Sequence, residues 1–150
     1  MTAEVKDILV EQGATFTFGF IYCAVALDGN GDPILDENGK PVAGEPHDLT
    51  GCTARLQIRQ RMNSATPLVT ATSGPDPAAG GGRIILQAGG AMGRVDVVLT
   101  DLDTDALNIK RAIYDLELEW PPVVGELRPR VERILQGAVT VNLNVTREGA

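Results

Sequence analysis

Histidine is almost missing from this 150-residue chain, where His47 stands alone. A hydrolytic triad needs a positioned base. The single candidate lies in GEPHDLTG, a Pro- and Gly-bearing connection, and no serine-centred elbow occurs anywhere. The expectation is a surface-loop histidine in a protein that is not an enzyme. Cysteine is nearly as scarce: Cys23 and Cys52 are the pair, and no Cys/His cluster has zinc spacing. They read as buried thiols of a protein made in the cytoplasm, with a disulfide between them left open. Basic residues are the minority, 13 against 20 acids, for a net charge of −7. Phosphate contacts need clustered Lys and Arg, so no nucleic acid partner is expected. The acidity favours solubility instead. Apolar runs such as 20–27 fall far short of the roughly 20 residues of a membrane span. The N-terminal MTAEVKDILVEQ lacks the basic-then-apolar order of a secretion signal. Aromatics are 4%, sparse for a carbohydrate-binding face.

What remains is period-2 alternation. In VERILQGAVTVNLNVT, Val131, Leu135, Val139, Val141, Leu143 and Val145 fall on one face, with Arg133 and Gly137 in the same register. Glu132, Gln136, Thr140, Asn142, Asn144 and Thr146 fall on the other, and Gly137 is a natural bend or bulge point. Ala112, Tyr114, Leu116, Leu118 and Trp120 share a face in RAIYDLELEW. So do Cys52, Ala54, Leu56 and Ile58, then Val95, Val97 and Leu99, and near the start Phe16, Phe18, Phe20 and Tyr22. PLVTATS and RIILQA add shorter strands, and KDILVEQ is an edge candidate. GPDPAAGGG, GGAMG and PPVVGELRP punctuate them. One short helical turn fits TDLDTDALN, where Thr and Asp can cap. Many short strands with Gly/Pro turns read as an all-β sandwich in one domain, 1–150.

Residues 28–42, DGNGDPILDENGKPV, admit two readings. As a calcium loop they would offer Asp28, Asn30, Asp32 and Asp36, but Pro33 replaces the required turn glycine and Gly39 the final bidentate acid. As a projecting hairpin or loop arm at about 28–46 they make more sense. DGNGDPI and DENGKPV are near-copies eight residues apart, each with an Asn-Gly pair suited to a tight turn. Glycine clusters elsewhere lack a following Lys-Ser or Lys-Thr, so no cofactor is expected. Asp115, Glu117 and Glu119 share the wet face of one strand, and Asp101, Asp103 and Asp105 read as helix capping. Arg55, Arg59, Arg61, Arg128, Arg130 and Arg133 can meet those outer acids or an acidic partner.

The order of the segments resembles a family of small tailed-phage virion proteins. It is also similar to the immunoglobulin-like N-terminal domain of siphophage upper baseplate proteins. DLTG before an alternating strand, a Val-rich strand ending in a Thr/Asp turn, YDLEL, and the closing LQGAVTVNLNVT carry the likeness. The resemblance implies an immunoglobulin-like β-sandwich of about seven to eight strands, located in the virion and made in the host cytoplasm. It implies a structural role in tail, baseplate or fibre attachment, with other virion proteins and copies of itself as partners, no membrane and no catalytic residues. The segment 28–46 exceeds the simple connection such domains carry before DLTG. Particle-specific contacts are therefore expected at Ile34, Leu35, Pro41 and Val42, with Arg128 and Arg130 beside them. Alternatives are a capsid-decorating or head–tail joining protein, and a calcium- or carbohydrate-binding recognition module using Trp120 as a platform.

Overall fold

The computed structural model describes residues 3–74, 82–86 and 91–145. The strands are β1 (Glu4–Val5), β2 (Ile8–Glu11), β3 (Phe16–Ile21), β4 (Cys23–Val25), β5 (Ala43–Pro46), β6 (Thr53–Arg59), β7 (Val69–Thr72) and β8 (Gly82–Leu86). After them come β9 (Arg94–Leu99), the single-turn helix α1 (Asp101–Asp105), β10 (Arg111–Glu119) and β11 (Val131–Asn142).

Nine strands form one mixed sheet in the order β1-β11-β10-β6-β7-β8-β9-β3, with β2 also on β11, while β4 and β5 pair by themselves. The sheet curls on itself: Phe18 of β3 meets Tyr114 of β10 at 6.5 Å between ring centroids, although five places separate them in the sheet order. Midway between them in the sheet order, β7 and β8 run parallel over only two residue pairs. An all-β, sandwich-like fold results, with β3 packed across from β10. The alternation explains the core, since one face of each strand is apolar. Leu56, Ile58, Val95, Val97, Leu99, Leu116, Leu118 and Val139 are all fully buried, and Phe16, Phe18 and Phe20 pack partly against them. Among the described residues no helix is long and apolar enough to cross a membrane.

Helix α1 forms where TDLDTDALN predicts it. The Asp103 N–H donates to Thr100 Oγ1, and the Thr100 N–H donates to Asp103 Oδ2, a reciprocal capping box. Thr104 Oγ1 donates to the Ala14 carbonyl at 2.8 Å, tying the helix to the turn before β3.

Three expectations are corrected. The alternation of the last strand breaks at Ile134: Leu116 faces Leu135 but Glu117 faces Arg133, so one extra residue is bulged out. Upstream of that bulge the faces exchange, and Val131 is exposed while Glu132 lies opposite Leu118 on the inward side. The strand also ends at Asn142, leaving Leu143 and Val145 exposed. Gly137 is not the bulge. It makes room for the Lys6–Asp7 link between β1 and β2, which pair in one register along the same edge of β11, because a Cβ there would lie 2.3 Å from the Lys6 carbonyl oxygen. The turn at 75–81, positions 87–90 and Thr146 lie outside the described residues.

Candidate functional site

The segment after β3 leaves the sandwich as a ribbon, β4 against β5, and then divides into two lobes. In the first, the Asp28 carbonyl accepts from the Gly31 N–H, and the Asp28 N–H donates to the Asp32 carbonyl. Asp28 Oδ1 also accepts from the N–H groups of Asn30 (2.8 Å) and Asp32 (3.0 Å). The second lobe repeats this eight residues on: Asp36 Oδ1 accepts from Asn38 (2.8 Å) and Lys40 (3.0 Å). Gly31 and Gly39, at φ of 83° and 77°, close the two turns in a conformation that glycine adopts without a Cβ penalty. Below the lobes, Ala26, Ile34 and Val42 form a closed three-way bond set. The Ala26 N–H donates to Val42, Val42 to Ile34, and Ile34 to Ala26.

This arrangement uses the acidic oxygens locally. Asp28 and Asp36 each organise a turn of their own, and Asn30 and Asp32 serve the first turn through their backbones. Among the described residues no group of three or more His, Cys, Asp or Glu side chains could hold a metal ion.

The root of the arm is locked to a second loop by a ladder of rings. Tyr22 lies 4.5 Å from His47 between centroids, and His47 meets Trp120 edge-on at 6.1 Å. The Arg130 guanidinium sits over the Trp120 ring at 4.7 Å, a cation–π contact. Glu132 ties the stack together by accepting from Trp120 Nε1 at 3.0 Å and from the Tyr22 hydroxyl. Burial, and then the Glu132 carboxylate, raise the Tyr22 hydroxyl above its ordinary pKa. Burial likewise pushes the Cys52 thiol up. Cys52 is buried and Cys23 half-buried, both as free thiols. Gly93 completes the root: its carbonyl accepts from the Tyr22 N–H, and a Cβ on it would come within 2.9 Å of the His47 and Tyr22 carbonyls.

His47 is therefore not a surface-loop residue, and Trp120 is not an open platform. Both are packed into the ladder. The signal for this was not local, because the four stacked side chains come from positions 22, 47, 120 and 130. Glu132 was missed because the bulge at Ile134 turns it inward from the expected wet face. Ahead of β6, DLTG folds as a cap in which Asp48 Oδ1 accepts from the Thr50 N–H and hydroxyl. Those bonds hold the Asp48 carboxyl below its usual range.

The arm and the loop after Trp120 both carry exposed apolar side chains. Leu27, Ile34, Leu35 and Val42 are exposed on the arm, and Val123, Val124, Leu127 and Val131 on the loop and its exit. These four and four make eight of the seventeen large apolar side chains exposed among the described residues, gathered in two short segments. Pro41 is exposed and bridges Leu35 across the second lobe. Arg128 is exposed at the loop's far side, and the Arg130 carbonyl accepts from the Trp120 N–H.

A concavity covers the outer face of β6, β10 and β11, a trough of about 620 Å³ whose rim includes Val5 and Met62. Here the arginines meet the outer acids: Arg55 to Glu117 at 3.6 Å and Arg133 to Asp115 at 3.3 Å. Arg59 donates to the Ser64 carbonyl and to Gln57. These pairs are half-exposed, of the kind that contributes about 0–1 kcal/mol each. No protein family matches this sequence, and no curated protein matches it either.

Proposed function

We propose that the chain is a non-enzymatic building block of a bacteriophage virion, part of its tail, baseplate or fibre attachment. It docks to other virion proteins and to copies of itself through the arm, its edge strands and the loop after Trp120. The observation that carries this reading is the exposed apolar side chains of the arm and of the loop after Trp120, whose roots the ladder ties together. Two projecting segments are fixed root to root by the Tyr22–His47–Trp120–Arg130 ladder and present exposed apolar side chains on rigid turns. Apolar side chains gathered on projecting elements mark protein contact sites, and a preorganised root lowers the ordering cost of docking. The segment order of the sequence resembles virion proteins, which supplies the class of partner.

The test is mass spectrometry of particles purified from a host that carries the gene. The chain should band with the particles at a fixed ratio to the other structural proteins. Ile34→Asp with Leu35→Asp should cut its incorporation by about tenfold, a loss of about 1.4 kcal/mol. A chain abundant in the lysate and missing from the particles refutes the reading.

A further inference from the structure

The two ends of the main sheet are guarded very differently. At one end the free edge of β11 is covered by β1, two residues long, and by the four-residue β2, with the charged Glu4, Lys6, Asp7 and Glu11 spread along them. Short length and charge are the usual protections against strand pairing with another chain. At the other end β3 reads FTFGFI, six residues with no charge, no proline and no bulge. The Tyr22 N–H bonds to the Gly93 carbonyl in the same register as Phe20–Val95, Phe18–Val97 and Phe16–Leu99. Antiparallel alternation then directs the N–H and C=O groups of Thr17, Gly19 and Ile21 away from β9. All three residues are exposed, and the half-buried Phe16, Phe18 and Phe20 lie along the same margin.

We propose that β3 is a homotypic docking edge, pairing antiparallel with β3 of a second copy of this chain about a two-fold axis at Gly19. This rests on the building-block reading above and names the partner of one of its edges. The sequence of β3 is self-complementary in that register. Thr17 faces Ile21 of the second copy, Gly19 faces Gly19, and Ile21 faces Thr17, so all three open rungs become bonded pairs. On the inner side Phe18 faces Phe20 and Phe16 faces Tyr22, giving aromatic cross-strand neighbours on both sides of the axis. Electrostatics permit the approach despite the net charge of −7. The nearest charges are Arg94 and Asp96, joined at 2.9 Å and lying over Gly19, where a Cβ would meet Asp96 Oδ1 at 2.1 Å. Each copy thus brings a neutral ion pair to the axis. A strand of six residues spans about 20 Å, so this edge alone buries less than the ~1,200 Å² of a standard stable interface. The expected dimer is weak and visible only at raised concentration.

Sedimentation of the full chain over a wide concentration range tests this. The wild type should pass from monomer to dimer. Thr17→Lys with Ile21→Lys sets like charges opposite each other twice and should raise the dissociation constant about tenfold or more. Thr17→Lys with Ile21→Glu sets opposite charges in the same places and should restore the dimer. Amide exchange on the wild type needs no variant: Thr17, Gly19 and Ile21 should gain protection as concentration rises. A chain that stays monomeric overturns the proposal. So does a dimer indifferent to the double lysine change, and failure of the Lys/Glu change to restore pairing overturns the Gly19 axis. Ile34→Asp with Leu35→Asp should leave this dimer unchanged. A chain that dimerises through β3 but is missing from particles therefore sinks the virion reading, and a monomeric chain found in particles sinks this one.

Discussion

Gly137→Ala tests how the N-terminal segment is held on β11. A Cβ at this position would stand 2.3 Å from the Lys6 carbonyl oxygen, 2.7 Å from its carbon and 3.1 Å from Asp7 Oδ1. The first two neighbours are backbone, so the segment itself must move. Three hydrogen bonds hold it there. The Lys6 N–H donates to the Gln136 carbonyl at 2.9 Å, the Ala138 N–H to Asp7 Oδ1 at 2.9 Å, and the Tyr114 hydroxyl to the Lys6 carbonyl at 2.5 Å. At about 1 kcal/mol each, losing all three costs about 3 kcal/mol. Replacing a strand glycine returns about 0.5–1 kcal/mol through backbone entropy. The net expectation is about 2 kcal/mol of destabilisation, read as a urea midpoint shift of about 1 M at a slope of ~2 kcal/mol/M. Tyr114→Phe removes one of the same three bonds. Combined with Gly137→Ala it should therefore cost less than the sum of the single changes. A loss below about 0.5 kcal/mol for Gly137→Ala, within the range of inert surface changes, would refute the reasoning. Full additivity with Tyr114→Phe would do the same.

Three further outcomes follow. The Tyr114 hydroxyl is pushed up to about 12 by burial and then by Asp7 and Glu4, against an unperturbed 10.0. The folded chain thus keeps that proton to higher pH than the unfolded chain. Stability from this group is complete below pH 10 and is lost between pH 10 and about 12, by up to about 2.7 kcal/mol, and Tyr114→Phe should flatten that part of the profile. Trp120→Ala removes the ring under Arg130 and beside His47 and leaves Glu132 without the indole donor; chemical denaturation should register a loss of about 2–3 kcal/mol. Asp28→Ala should speed amide exchange at Asn30 and Asp32 while leaving Asn38 and Lys40 unchanged, because the two lobes are capped independently. Calcium should change none of these four rates, and calcium-dependent protection would return the segment to the metal-loop reading.

The sequence made the core legible because burial follows local alternation. Cys52, Ala54, Leu56 and Ile58 lie inside because Thr53, Arg55 and Gln57 alternate with them, and a strand leaves no other arrangement. The helix was legible for the same reason, since Thr100 and Asp103 stand at cap spacing. What escaped depends on contacts between distant segments. Nothing near Ile134 marks it as the bulged residue, because the insertion is defined only by the register of β10 against β11. That one residue moves Glu132 from the outside to the Tyr22–Trp120 stack, so an error of register became an error about the site. His47 escaped likewise: its neighbours in sequence are loop-like, and its ring partners are 25 and 73 positions away.

The arm divides the two kinds of information most clearly. Its internal shape is written twice in eight-residue copies, and in each copy one aspartate and one glycine complete a turn with no help from the rest of the chain. Such lobes hold their shape wherever they are attached. Their direction is a different matter, because it depends on the ladder, whose members are supplied by four separate segments. A change at Asp28 therefore alters one lobe, whereas a change at Trp120 alters where both lobes point. If docking depends on direction, Trp120→Ala should weaken incorporation into particles as strongly as the direct loss of Ile34 and Leu35, although it touches neither. Particles that accept the Trp120 variant at the wild-type ratio would separate the arm from its root and show that the lobes dock as free, flexible ligands.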